Sequence, residues 1–295
     1  MNYKLVALDL DSTLLNSNKE IDTTTRDTIA RVQELGCEVV IVTGRIFPSA
    51  VDYARELKLT SAVVTHNGAI ARKINGKIIF QHPLPDELSQ EVIELAEIHG
   101  LHLQVYLEDD FFFRYRNRLA EEYENSIGVR GQELGRRLTG LAGKTVHKLL
   151  VIEDDPDRWS YYKGYLQKHY GRRLNITSSS DSFIEIMAAG VNKGRTLADL
   201  CREWGYQQSE VVAIGDNYND CEMLEWAELG IAMANAPEEV RALADRITAD
   251  NDNQGVARAL EYLFLADAET GESSKKGNSE TSRDRVEQAA ESENS

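Results

Sequence analysis

Residues 5–11, Leu-Val-Ala-Leu-Asp-Leu-Asp, run apolar and then stop on two acids, Asp9 and Asp11. So short an apolar run suits a buried strand of a parallel sheet better than a helix. Carboxylates at i and i+2 leave an extended strand on one face, so Asp9 and Asp11 crowd its C-terminal edge. Like charges that close are unfavourable unless a cation lies between them. By itself the pair fits either a strand running out into a polar loop or a place where positive charge is held.

The same punctuation recurs along the chain. Residues 38–42, Glu-Val-Val-Ile-Val, run into Thr43-Gly44-Arg45, and residues 61–64 run into Thr65-His66-Asn67-Gly68. Val-Val-Ala-Ile at 211–214 leads into Gly215-Asp216-Asn217-Tyr218-Asn219-Asp220. Between the early runs, residues 23–35 place Ile29, Val32 and Leu35 at helical spacing, with Asp22 or Thr23 as cap and Gly36 as stop. Pro48 suits the first turn of the next helix. Strand alternating with helix predicts a parallel sheet with right-handed crossovers. Ligands of such sheets sit beyond the carboxyl ends of the strands, where Asp9, Asp11, Thr43 and Asn67 all fall.

The pattern changes after a hairpin around Asn75-Gly76. Helices at 86–99, 118–126 and 156–170 interleave with strands at 101–107, 111–115, 146–152, 174–178 and 183–187. Antiparallel pairs mixed with helices predict an α+β insert of ordinary domain size. From Asn192 the first style returns. The predicted fold is α/β: a Rossmann-like, doubly wound parallel-sheet core of residues 1–80 and 189–265, with an α+β domain inserted at 81–188. Residues 266–295 show no apolar periodicity and hold eight acids against four bases, which predicts a disordered tail.

Composition narrows the function classes. The chain of 295 residues carries a net charge of −16 with no long basic cluster, so nucleic acid is repelled on average. An anionic substrate must then be held by a local device. Cys37, Cys201 and Cys221 have neither disulfide-framework nor zinc-site spacing, which suits a reducing cytoplasm. No apolar run approaches membrane-spanning length and no export signal opens the chain, so the expectation is a cytoplasmic protein without membrane or nucleic-acid partners. No feature of the sequence speaks for a particular oligomeric state.

Each remaining motif admits two readings. Thr43-Gly44, after a strand and before a helix, is either a phosphate grip or a turn with a capping threonine. Lys193 opens a helix against its dipole, which suits a bound anion, although a solvated lysine is the simpler account. Asp216 and Asp220, flanked by Gly and Asn at a strand end, look built for a hard cation rather than for a turn alone. Arg45 either touches substrate or insert, or pairs with an acid on its own helix. Asn67-Gly68 either lines the site or is a plain turn. Phe111-Phe112-Phe113 reads as core, with a chance that one ring meets a ligand.

Taken in order, Asp9-x-Asp11-x-Thr13, Thr43, Lys193 and Gly215-Asp216-x-x-x-Asp220 resemble the haloacid dehalogenase-like superfamily of phosphatases. The strings Val-Thr-Gly-Arg, His-Asn-Gly-Ala and Gly-Asp-Asn-Tyr-Asn-Asp-Cys-Glu-Met point to its Cof-like group, which carries a large α/β cap where the insert lies here. Ser12 departs from the glycine of many members. The resemblance implies that Asp9 attacks phosphorus and forms an aspartyl-phosphate. Asp11 is implied to protonate the leaving alcohol and then activate water, which requires a carboxyl nearer neutrality than that of Asp9. Magnesium is implied at Asp9, the Asp11 backbone carbonyl and Asp216, with Asp220 holding its waters or orienting Lys193. Thr43, Gly44, Lys193 and the Leu10 N–H are implied to bind the phosphoryl oxygens, with Asn219 within reach. The expected activity is hydrolysis of a small-molecule phosphate ester, such as a sugar phosphate or nucleotide-like cofactor. A phosphomutase and a non-catalytic regulator are the alternatives on the same scaffold.

Overall fold

A computed structural model describes residues 3–265, so the tail expected at 266–295 lies outside the described residues. The chain opens with β1 (Leu5–Leu8), α1 (Thr23–Glu34), β2 (Glu38–Val42), α2 (Phe47–Glu56), β3 (Ala62–Thr65) and the hairpin β4 (Ile70–Lys73) and β5 (Ile78–Gln81). It continues through α3 (Asp86–Ile98), β6 (His102–Tyr106), β7 (Phe111–Phe113), α4 (Arg118–Ile127), β8 (Gln132–Glu133), β9 (Lys148–Ile152), α5 (Pro156–Tyr170), β10 (Leu174–Thr177) and β11 (Phe183–Ala188). The return is α6 (Lys193–Trp204), β12 (Val211–Gly215), α7 (Cys221–Trp226), β13 (Leu229–Ala232), α8 (Glu238–Leu243), β14 (Arg246–Ile247) and α9 (Gly255–Leu260).

The first and last of these segments build one sheet, in the order β14-β13-β12-β1-β2-β3-β4-β5. Its strands are parallel from β14 to β3, and the β4–β5 hairpin adds an antiparallel edge. Successive residues of a strand face opposite sides, and both sides are covered here. Val6, Leu8, Val39, Ile41, Val212 and Ile214 pack with α1, α2 and α9. Leu5, Ala7, Val40, Val42, Val211 and Ala213 pack with α6, α7 and α8. This is the doubly wound core that the apolar runs predict. Register carries the consequence for function: Leu8 lies opposite both Ile214 and Ile41, so Asp9, Gly215 and Val42 leave the sheet side by side.

The middle of the chain forms a second sheet, β10-β11-β9-β6-β7-β8. Val105, Leu149, Val151 and Ile184 face α3 and α5. Tyr106, Phe111, Phe113, Leu150 and Ile152 face α4, and Ile46 of the first layer joins the same cluster. Phe111 and Phe113 thus serve the core on one face while Phe112 packs on the other, which explains why the triplet shows no one-sided alternation. The chain passes to this sheet after Gln81 and returns after Ala188. No described helix is long and apolar enough to cross a membrane.

Candidate active site

The C-terminal ends of β1 and β12 face the first turn of α6. Lys193, the first residue of that helix, is buried completely, and its Nζ lies 2.6 Å from Asp9 Oδ1 and 2.6 Å from Asp220 Oδ1. The solvated-lysine reading is therefore wrong, because two carboxylates offset both the burial and the opposing helix dipole. Both oxygens of Asp220 are used: the second accepts the N–H groups of Asp216 and Asn217, each at 3.0 Å. Thr13 Oγ1 donates to Asp216 Oδ1 at 2.9 Å, tying the loop after β1 to the loop after β12.

Burial and the charge of Asp220 push the Asp9 carboxyl up to about 7, against the pull of Lys193. Burial, Asp9 and Asp220 hold Asp216 well above the usual carboxylate range. Burial alone would pull the Lys193 ammonium down, but Asp220 and Asp9 raise it instead. Asp9, Asp216 and Asp220 each offer a ligand oxygen, all within 4.8 Å of one another. Three carboxylates around one lysine leave an excess of negative charge in a buried place. That donor set, all oxygen and short of cations, fits a hard divalent ion. The Asp11 carboxylate stands outside this cluster, so only its backbone carbonyl is left for the metal role implied for Asp11.

Asp11 and Arg45 form a fork. Arg45 Nε donates to Asp11 Oδ2 at 2.7 Å and Nη2 to Oδ1 at 2.6 Å, and Lys19 Nζ adds a contact at 3.1 Å. Burial would raise the Asp11 carboxyl, but Arg45 and Lys19 outweigh it and hold it below its ordinary value. The order expected of the two acids is thus reversed in this structure. Arg45 pairs with an acid from another loop, not with one on its own helix. It also reaches the insert: Nη2 contacts the Ser126 carbonyl at 3.4 Å, and Nη1 donates to Ser49 Oγ, which donates to the Ile127 carbonyl at 2.6 Å.

Thr43 and Gly44 line a cavity of about 290 Å³ that opens onto Asp9, Asp11, Asp216 and Asn219. Thr43 Oγ1 accepts the Arg45 N–H at 3.1 Å, so the threonine braces its own turn as well as facing the cavity. Gly44 is a close approach, because a Cβ there would sit 2.8 Å from Asn67 Oδ1. Asn67 does not line the cavity: it adopts a left-handed backbone at φ 53° and its Oδ1 accepts from Asn219 Nδ2 at 3.0 Å. Leu10 puts its side chain in the core, and Lys193 touches Asp9 from outside the cavity wall.

Sequence reasoning missed the far wall. Lys148 on β9 and Glu185 on β11 are buried, line the cavity and form an ion pair at 3.0 Å. The available signal is a charge inside an apolar strand, in Lys-Leu-Leu-Val-Ile and Phe-Ile-Glu-Ile-Met, since buried charges need partners.

Sheet, helix terminus and acid cluster together define a two-sheet α/β protein with a buried acidic site at its strand ends. Residues 6–260 match the haloacid dehalogenase-like hydrolase family, and the chain belongs to it. Its middle sheet and helices correspond to the α/β cap of the Cof-like group, and the protein is an enzyme of the phosphatase class. It is 32% identical over 269 residues to a 5-amino-6-(5-phospho-D-ribitylamino)uracil phosphatase of Bacillus subtilis, covering 88% of this chain and 97% of the relative. A pyridoxal phosphate phosphatase of Escherichia coli is 27% identical, covering 88% and 98%. A haloacid dehalogenase-like hydrolase from Bacteroides thetaiotaomicron superimposes with a TM-score of 0.78 at 31% identity, covering 89% of this chain and all of the other.

Proposed function

We propose that this chain is a magnesium-dependent phosphatase of small phosphorylated metabolites, acting through an aspartyl-phosphate on Asp9. The observation that carries the reading is the buried lysine shared by Asp9 and Asp220 beside Asp216, with a cavity opening onto Asp9. Lys193 occupies one oxygen of Asp9 and leaves the other to attack phosphorus. As the new P–O bond forms, the ester P–O bond breaks, and Asp11 gives its proton to the departing alkoxide. Asp11 then takes a proton from water as that water attacks the phosphoenzyme, freeing phosphate and regenerating Asp9. The fork with Arg45 holds Asp11 ionised in this structure, the form the second half requires, so the first half requires Asp11 to leave Arg45 and take up a proton before it serves as acid.

Thr43, the Gly44 N–H, the Leu10 N–H and Asn219 are assigned to the phosphoryl oxygens, with Lys193 balancing their charge and Asn67 holding Asn219 in place. Asp9, Asp216 and the Asp11 carbonyl are assigned to the metal, with Asp220 fixing Lys193 and the loop that carries Asp216. When bound, magnesium supplies positive charge against the phosphoryl oxygens. Residues 81–188 act as the cap over a catalytic body of residues 1–80 and 189–265, excluding water and macromolecular substrates. The named relatives act on small phosphate esters, and the cavity is of that scale. Three free cysteines accord with a cytoplasmic enzyme.

The test is phosphate release from p-nitrophenyl phosphate. Magnesium should be required, and Asp9→Asn should lower turnover by about a thousandfold or more. Release indifferent to both ends the proposal.

A further inference from the structure

The cap sheet turns two buried charges toward the core. Lys148 lies opposite Tyr106, and Glu185 lies opposite Leu150. The ammonium of Lys148 is fully used. It donates to the Gly44 carbonyl at 2.7 Å and to Glu185 Oε1 at 3.0 Å, and it stands 4.6 Å from the centre of the Tyr106 ring. Glu185 is only half used. It is 2% exposed and its Oε2 is buried with no partner, although the residue lines the cavity. A buried carboxylate oxygen without a donor is unfavourable, so this one is set to accept from whatever fills the cavity.

Its position says which part of a ligand it meets. A Cβ on Gly44 would lie 3.2 Å from Glu185 Oε1, and Gly44 follows Thr43 in the loop assigned to the phosphoryl group. A donor reaching Glu185 therefore belongs to the alcohol, within a few bonds of the ester oxygen. Its charge can be read as well. Glu185 is already balanced by Lys148, as Lys19 and Arg45 are by Asp11. The free oxygen of Glu185 therefore needs a hydrogen-bond donor rather than a further charge, and a neutral hydroxyl supplies one.

We infer, on the phosphatase reading above, that Glu185 is a specificity residue. Its free oxygen accepts a hydrogen bond from a hydroxyl near the ester, so the enzyme selects phosphate esters of polyols and sugars over those of hydroxyl-free alcohols. Lys148 is its positioning residue, since it holds the other oxygen and ties both to the Gly44 loop. One charge-assisted bond of this kind corresponds to about 10- to 100-fold in kcat/KM.

The experiment compares ribitol 5-phosphate with n-pentyl phosphate, of equal chain length, in the full chain with magnesium. The wild type should prefer ribitol 5-phosphate at least tenfold in kcat/KM. The double variant Lys148→Met/Glu185→Leu removes the ion pair as a unit and avoids a lone buried charge. Its preference should fall to within a few-fold of one, chiefly through KM for the polyol ester. Glu185→Gln, which keeps a neutral acceptor, should retain an intermediate preference. Equal efficiency on both esters in the wild type, or a preference unchanged in the double variant, overturns the inference and leaves the phosphatase reading standing. No release from either ester overturns both. If the double variant fails to fold, the wild-type ratio and Glu185→Gln decide.

Discussion

Asp9 and Asp11 are two residues apart and live in opposite electrostatic surroundings. Asp9 is buried against two other acids and one lysine, while Asp11 is gripped by a guanidinium and a second lysine. Spacing makes the pair visible in the sequence, but the partners that separate their protonation come from residues 34 and 184 positions away. Ser12, directly after Asp11, has φ 60°, in the left-handed region that glycine tolerates best. Ser12→Gly should therefore be neutral to stabilising by about 1 kcal/mol in urea unfolding, and a clear loss of stability would contradict this. His147 is a second such case. Burial pulls its imidazole down to about 4, against about 6.5 in an unfolded chain. The unfolded chain then takes the proton first as pH falls. Stability that is whole above about pH 6.5 is lost toward pH 4, by up to about 3 kcal/mol from this residue. Urea midpoints at pH 7 and pH 5 should diverge less in His147→Gln than in the wild type; equal divergence argues against a buried neutral histidine.

At the scale of elements, most of the fold is legible because apolar runs and capping signals are local. Asn192 caps α6, Asn117 caps α4 and Asp155 caps α5, each through its side chain. The two-residue strands β8 and β14 carry no apolar run and are recognisable only by their neighbours in the sheets. The acidic turn Glu108-Asp109 has a use that the sequence hides: both acids receive Arg72 from β4, at 3.1 and 2.7 Å, and so tie the cap to the core. Helix packing sets the most stringent requirement at Gly194, where a Cβ would lie 2.1 Å from the Glu222 carbonyl of α7. That contact is backbone and has nowhere to go. Gly194→Ala should cost about 1–3 kcal/mol. It should also lower kcat, since α6 must shift and it carries Lys193. Thermal unfolding and turnover measured on the same preparation check both, and a variant as stable as wild type refutes the packing claim.

For the whole molecule, the decisive quantity is charge gathered in a buried place. An acidic protein concentrates Asp9, Asp216 and Asp220 around a single lysine, so a divalent ion that binds the folded state should raise its stability through linkage. Magnesium at about 100 times its dissociation constant should add about 2.7 kcal/mol and raise Tm by a few degrees over a chelator control. Identical melting in both conditions would remove the metal from the proposal. The alternation of strands and helices along the chain, the four motifs at Asp9, Thr43, Lys193 and Asp216, and the change of style across the insert were determined by the sequence alone. Each rests on nearest-neighbour periodicity, capping or composition, which a chain carries before it folds. The tertiary structure decided that Lys193 is buried, that Arg45 serves Asp11, that Asn67 supports Asn219, and that Lys148 and Glu185 close the cavity. Those depend on which residues distant in the chain meet in a low-dielectric interior, where an unpaired charge is costly and a partner must be found across the fold.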